Sequence, residues 1–152
     1  MLALIRPDSW NFPLFLHVLG AMTLVGALVT AACALVLGWH RDTVTLTRVA
    51  FRTLLLAGLP AYILMRVAAE WIRSKENYGG DDDPAWIGIG YITSDLGGLL
   101  LLISIILTGL AARRLRRTGL DRSTLGRVGG AITLILVVAY IVAIWAMTTK
   151  PA

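Results

Sequence analysis

Cysteine, histidine and charge are what this chain has least of. A single cysteine, Cys33, rules out an intrachain disulfide, and no Cys-x-x-Cys pair exists. Only two histidines are present, and just 15% of the residues are Asp, Glu, Lys or Arg. A water-soluble domain of this size needs far more polar surface. No phosphate-binding glycine loop occurs, nor a Ser-His-Asp set at one depth, nor paired metal-ligand spacing. Neither an enzyme nor a metal site is therefore expected.

What fills the chain instead is apolar. Hydrophobic residues make up 57% of it, and the mean hydropathy is +0.77. They fall into four runs near 12–38, 45–72, 86–112 and 125–147. Each has the roughly 20 residues needed to cross a hydrocarbon core about 30 Å thick. The expected fold is an all-α, transmembrane four-helix bundle. It forms a single integral membrane domain over residues 1–152, with no internal repeat and no linker.

Charge placement sets the expected orientation. The first connection carries Arg41, Arg48 and Arg52 against Asp42, and the third carries Arg113, Arg114, Arg116, Arg117, Arg122 and Arg127 against Asp121. Nine of the 14 basic residues thus sit in or beside loops 39–47 and 113–124, and Lys/Arg-rich loops face the cytoplasm. The acidic loop 73–85, with Glu76, Asp81, Asp82 and Asp83, and both termini then lie on the outer side. The net charge of +5 needs no nucleic acid; the Arg113–Arg117 run reads as a topology anchor against anionic lipid. High Ala, Leu, Arg and Gly usage suits a bacterial inner membrane.

Helix ends and packing surfaces are also legible. Pro13 falls in a first turn, where its missing N–H costs nothing. Pro84 precedes the third helix, with Asp82 or Asp83 as a cap. Trp10, Trp71, Trp86 and Trp145 mark the outer boundary and Trp39 the inner one. Pro60 interrupts the second helix one turn or so before Arg66. Small residues at four-residue spacing (Gly26, Thr30, Ala34 and Gly38; Gly126 and Gly130; Ser94 and Gly98) suit helix packing, with a homodimer face as the alternative. Ala27 and Ala31 widen the first ridge. Cys33 is expected to be buried as a small apolar residue.

The polar residues inside the spans carry most of the functional information. His17, Arg66, Glu70 and Asp95 all fall in the outer half, joined by Tyr62, Tyr91 and Tyr140. At 1.5 Å per residue, His17 lies about 8 Å below the outer boundary, Arg66 about 9 Å and Asp95 about 13 Å, with Glu70 only a few Å in. Arg66 and Glu70 are four apart and share a helix face. Asp95 runs antiparallel at a depth where it meets Arg66. A charge in hydrocarbon costs roughly 2.5–3.5 kcal/mol, so such groups turn toward partners or a wet cavity. Two readings stay open: Arg66 and Asp95 pin two helices together, or the cluster builds an outward polar pocket for an ion or ligand.

At His17-Val18-Leu19-Gly20, followed by Gly26, the chain resembles a group of uncharacterised bacterial four-helix integral-membrane proteins. Their first helix opens with His-x-x-Gly, and they are distantly similar to copper-resistance-D and cytochrome b561-like proteins. The resemblance covers the first helix and the four-helix layout. It implies haem or copper handling with His17 as a ligand. His40 lies 23 residues further on, about 35 Å along the helix, so one protomer cannot clamp a haem between its two histidines. Pairing His17 with Met65 or Met147, or sharing a haem across a dimer, keeps haem open. Copper through His17 with Met22 or Met65 lacks an accompanying cluster.

Together these features predict a ligand- or ion-binding, transport-type membrane module. The alternatives are an accessory or assembly subunit of a larger membrane complex, and a haem protein using His17. Lipid is the expected partner, with a homodimer or larger complex as further partners.

Overall fold

A computed structural model describes residues 11–39, 43–76, 85–119 and 123–149. These residues are almost wholly helical: α1 (Asn11–Leu37), α2 (Thr43–Thr53), a π-helical turn (Leu54–Gly58), α3 (Leu59–Glu76), α4 (Ala85–Thr118) and α5 (Thr124–Thr149). Because α2, the π turn and α3 run on as one rod, the described residues include four helices long and apolar enough to cross a membrane. Trp10, His40, Arg41, Asp42, Gly79 to Pro84, Asp121 and Arg122 lie outside the described residues, as does the Trp86 side chain.

The bundle is inside-out by the standard of a soluble protein. Large apolar side chains such as Met22, Leu56, Val67, Ile92, Leu99, Ile106, Ile135 and Val138 are exposed on all four spans. Buried among the helices are small residues and hydroxyls. Ser104 and Thr133 lie 2.8 Å apart across α4 and α5; Ser104 also donates to the Gly129 carbonyl and Thr108 to that of Ser104. Lipid tails give helices no hydrophobic reason to associate, so close packing and satisfied hydroxyls must hold them together. Leu24, Leu28, Leu54, Leu101 and Leu136 form the central core.

Three elements differ from the expected boundaries. α4 runs six residues past Ala112, through the arginine run, to Thr118. Hydropathy reports where lipid ends, whereas Arg and Leu remain good helix formers in water. The helix stops where Gly119 takes φ +63° and its N–H reaches the Leu115 carbonyl at 3.1 Å. α2 already starts at Thr43, so much of each expected basic loop is helix. α5 begins behind Ser123, whose hydroxyl accepts from the Gly126 N–H.

Pro60 does disturb the second span, through a π turn. The Leu59 N–H bonds the Leu54 carbonyl five residues back. Pro60 has no N–H and its ring crowds the carbonyl four residues before it, and a turn widened by one residue absorbs both effects. On the near side of this turn α2 packs against α1 and α4; on the far side α3 stays with α1 and barely touches α4. The second span therefore leans away from α4 at the end formed by the start of α1 and the ends of α3 and α5.

Glycines fix where helices touch. At Gly20 a Cβ would stand 2.7 Å from the Met65 N and 3.0 Å from the Ala61 carbonyl oxygen, so α1 and α3 meet backbone to backbone. Gly126 lies on Ala111, and Gly130 on Leu35 and Trp39, so this pair serves the bundle interior. The α1 ridge splits. Four-residue steps gain about 40° each on a helix of 3.6 residues per turn. Gly26 and Thr30 consequently face outward, while Ala34 and Gly38 are buried. Cys33 is a correction: it is exposed, on the face of Val29, Thr30 and Leu37.

Gly20→Ala is expected to destabilise the bundle by about 1–3 kcal/mol, because the clash is with backbone that cannot rotate away. Gly26→Ala, with nothing within 4 Å, is expected to be neutral or to stabilise by up to about 1 kcal/mol. Unfolding both variants side by side in detergent checks the contrast.

Candidate functional site

The splay of α3 from α4 opens a cavity of about 500 Å³ among α1, α3, α4 and α5. Its lining runs from Pro13, Ile72, Lys75, Ile87 and Thr148, at the level of the start of α1 and the ends of α3 and α5, to Val25 and Tyr140 deeper in the bundle. The volume falls in the range of about 300–1,000 Å³ typical of sites for one small ligand. Its wall is overwhelmingly apolar. Val18, Met22 and Ile144 line it and are also exposed on the outside, so the wall between α1 and α5 is open sideways.

His17 is placed by the Gly20 contact. Gly20 follows His17 by three residues, on the same helix face. Once the two backbones touch, His17 Nδ1 comes 3.0 Å from the Met65 carbonyl oxygen. A carbonyl can only accept, so Nδ1 carries a proton, and in the neutral tautomer that matches this bond the lone pair is on Nε2. His17 and Met65 both line the cavity, as does Met147.

Arg66 is the hub of the charged cluster. One guanidinium nitrogen lies 2.9 Å from Asp95 Oδ1 and 3.2 Å from Glu70 Oε1. The guanidinium also sits over the Tyr91 ring, 4.8 Å from its centre, and that of Arg73 lies 5.0 Å from the same centre. Such cation–π contacts contribute roughly 0.5–1 kcal/mol each at exposed sites. Both expected partners of Arg66 are thus in place.

They do not build the expected polar pocket. His17, Arg66, Tyr91 and Tyr140 line the cavity, but Glu70 and Asp95 do not. The Asp95 side chain is 62% exposed, on the outer flank of α3 and α4. Tyr62 is also elsewhere: its hydroxyl donates to the Ser94 carbonyl at 3.2 Å, tying α3 to α4. Gly98 makes the room for that ring, and Gly97 the room for Tyr140.

Sequence reasoning overlooked Ser94 as a wall residue and the buried Ser104, Thr108 and Thr133. Ser94 is 8% exposed and Tyr140 5%. Their hydroxyls are buried with no hydrogen-bond partner among the described residues. Among the described residues no group of three His, Cys, Asp or Glu could hold a metal ion. For haem, His17 Nε2 and the Met147 thioether are ligands of the right kind. Comparison with protein-family models, curated proteins and solved structures returned no match.

A double-mutant cycle tests the Arg66 hub. Arg66→Leu leaves two carboxylates without their cation, whereas Asp95→Leu leaves Arg66 with Glu70. The first is expected to destabilise more, and the two should couple by about 0.5–1 kcal/mol, the usual size for a half-exposed pair. Additive effects in denaturant unfolding would mean that the pair contributes nothing to helix association.

Proposed function

We propose that this chain is a multi-pass membrane module, without a catalytic centre, that binds one small and largely apolar molecule drawn from the bilayer. The observation that carries the reading is the apolar cavity of about 500 Å³ with its side opening at Val18, Met22 and Ile144. Burying apolar surface there stabilises a complex by about 25 cal/mol per Å² before binding costs are subtracted. An ion is a poorer match, because both nearby carboxylates are already paired with Arg66 and neither lines the cavity.

The charge pattern supports a bacterial inner-membrane location with the Arg113–Arg117 end in the cytoplasm and the cavity opening outward. Trp71, packed edge-on to Phe12 with ring centres 6.3 Å apart, suits an outer headgroup level. Arg66 and Asp95 then lie about 8 Å below it, near the edge of the hydrocarbon, where an exposed carboxylate still reaches water.

A second reading, haem bound through His17, is favoured by the lone pair that the Met65 contact leaves on Nε2. In that case iron would supply redox chemistry, and His17 and Met147 would hold it.

A native mass spectrum of the chain released from mild detergent separates these readings. The expected result is an added mass of a neutral lipid-like molecule that is lost in Ala143→Phe, which fills the cavity. A haem mass with Soret absorption would replace the first reading by the second. Bare mass at every detergent stringency would remove both.

A further inference from the structure

The charged part of the cavity wall has one sign. Arg66, Arg73 and Lys75 line the cavity, and no carboxylate among the described residues does. Arg66 is engaged by Glu70 and Asp95 from outside the lining. Arg73 and Lys75 stand at the end of α3, where the wall comes level with the start of α1.

Helical geometry places these two cations on opposite edges. Met65, Ala69 and Ile72 form the middle of the α3 strip that lines the cavity. At 3.6 residues per turn, Arg73 lies about 80° to one side of Met65 and Lys75 about 80° to the other. Arg73 is on the α4 edge, with its guanidinium over the Tyr91 ring. Lys75 is exposed. A guanidinium has five N–H donors and an ammonium three, so each can serve a further acceptor beside its present contacts. Both carry long apolar stems that lie along hydrocarbon while the charged head stays in water.

A ligand that satisfies this wall has two parts, an apolar body and a negative head at the end of α3. A pure hydrocarbon gains nothing from the cations, and a free anion gains nothing from the apolar wall. Depth then selects the head group. With Trp71 at the headgroup level, Arg73 and Lys75 stand about 3 and 6 Å further out, where the phosphates of the bilayer lie. Forked arginine donors match phosphate oxygens, and lysine adds a point charge.

We infer that the ligand is a phospholipid of the surrounding bilayer, with one hydrocarbon chain in the cavity and its phosphodiester between Arg73 and Lys75. The inference rests on the proposed function and makes it chemically specific. The opening between α1 and α5 at Val18, Met22 and Ile144 gives a second chain its way back to the bilayer.

The test uses the full chain in a maltoside detergent, which has neither phosphate nor charge. The probes are oleoyl lysophosphatidylethanolamine, monooleoylglycerol with the same chain and no phosphate, oleate, and glycerophosphoethanolamine as the head alone. Affinities come from titrations read by native mass spectrometry and are corrected for partition into the micelle. The phospholipid is expected to bind at least about 10-fold more tightly than monooleoylglycerol, and the head alone not at all. Arg73→Gln and Lys75→Gln should each weaken the phospholipid about 5-fold and leave monooleoylglycerol unchanged. Ala143→Phe should weaken both. Equal binding of the two oleoyl lipids overturns the inference while leaving an apolar site in place. Tighter binding of oleate, or binding of the head alone as strong as that of the lipid, overturns it too. Phospholipid binding that Ala143→Phe leaves untouched overturns the inference and the cavity reading together. Should a variant fail to fold, the ratio of phospholipid to monooleoylglycerol on the unaltered chain still decides.

Discussion

The backbone contact between α1 and α3 at Gly20 is the constraint from which the rest of the outer half follows. With no side chain at that position, the first helix can press onto the amide of Met65. That contact holds α3 against α1 and away from α4 once the π turn before Pro60 has freed it from the α2 direction. A four-helix bundle whose second helix leans to one side cannot close at that end. The cavity is the space left over, and its position is set by two residues, Gly20 and Pro60, of which only Gly20 approaches it closely.

The polar groups then sort themselves by which side of α3 they occupy. His17 and Met65 lie where α1 meets α3, so the imidazole faces the cavity and is locked by a carbonyl. Arg66 lies between the cavity and the outer flank, touching the wall on one side and drawing Glu70 and Asp95 to the other. Tyr62 crosses beneath, bonded to the backbone of Ser94. The ion-paired cluster braces the splayed helices from outside and leaves the interior apolar. In the proposed reading its role is support for the cavity, whose wall it touches only through Arg66.

Much of this was legible in the sequence, and the reasons for the misses are physical. Long apolar runs gave the four spans, because lipid imposes one requirement on every residue of a crossing helix. The Arg66–Glu70 pair follows from helical spacing, and Arg66–Asp95 from counting along antiparallel helices. The Met65 carbonyl left no trace, since a backbone acceptor has no residue signature. Pro60 announced a disturbance but not its form as a π turn. The cavity itself was hidden, because Val18, Ala21 and Ala143 look the same in sequence whether they face a void or a neighbour. Ser104 and Thr108, four apart and opposite Gly129 and Thr133, could have been recognised as a polar helix contact from their spacing alone. Cys33 was misplaced because small residues crowd both faces of α1, leaving no contrast to show which face is buried.

The most direct test is an experimental structure of the chain crystallised from a lipidic mesophase, at a resolution that shows small ligands. The expected result is α3 held on α1 at Gly20, with elongated non-protein density in the cavity between α1 and α5. A structure with α3 packed along α4 and the cavity filled by side chains would contradict it.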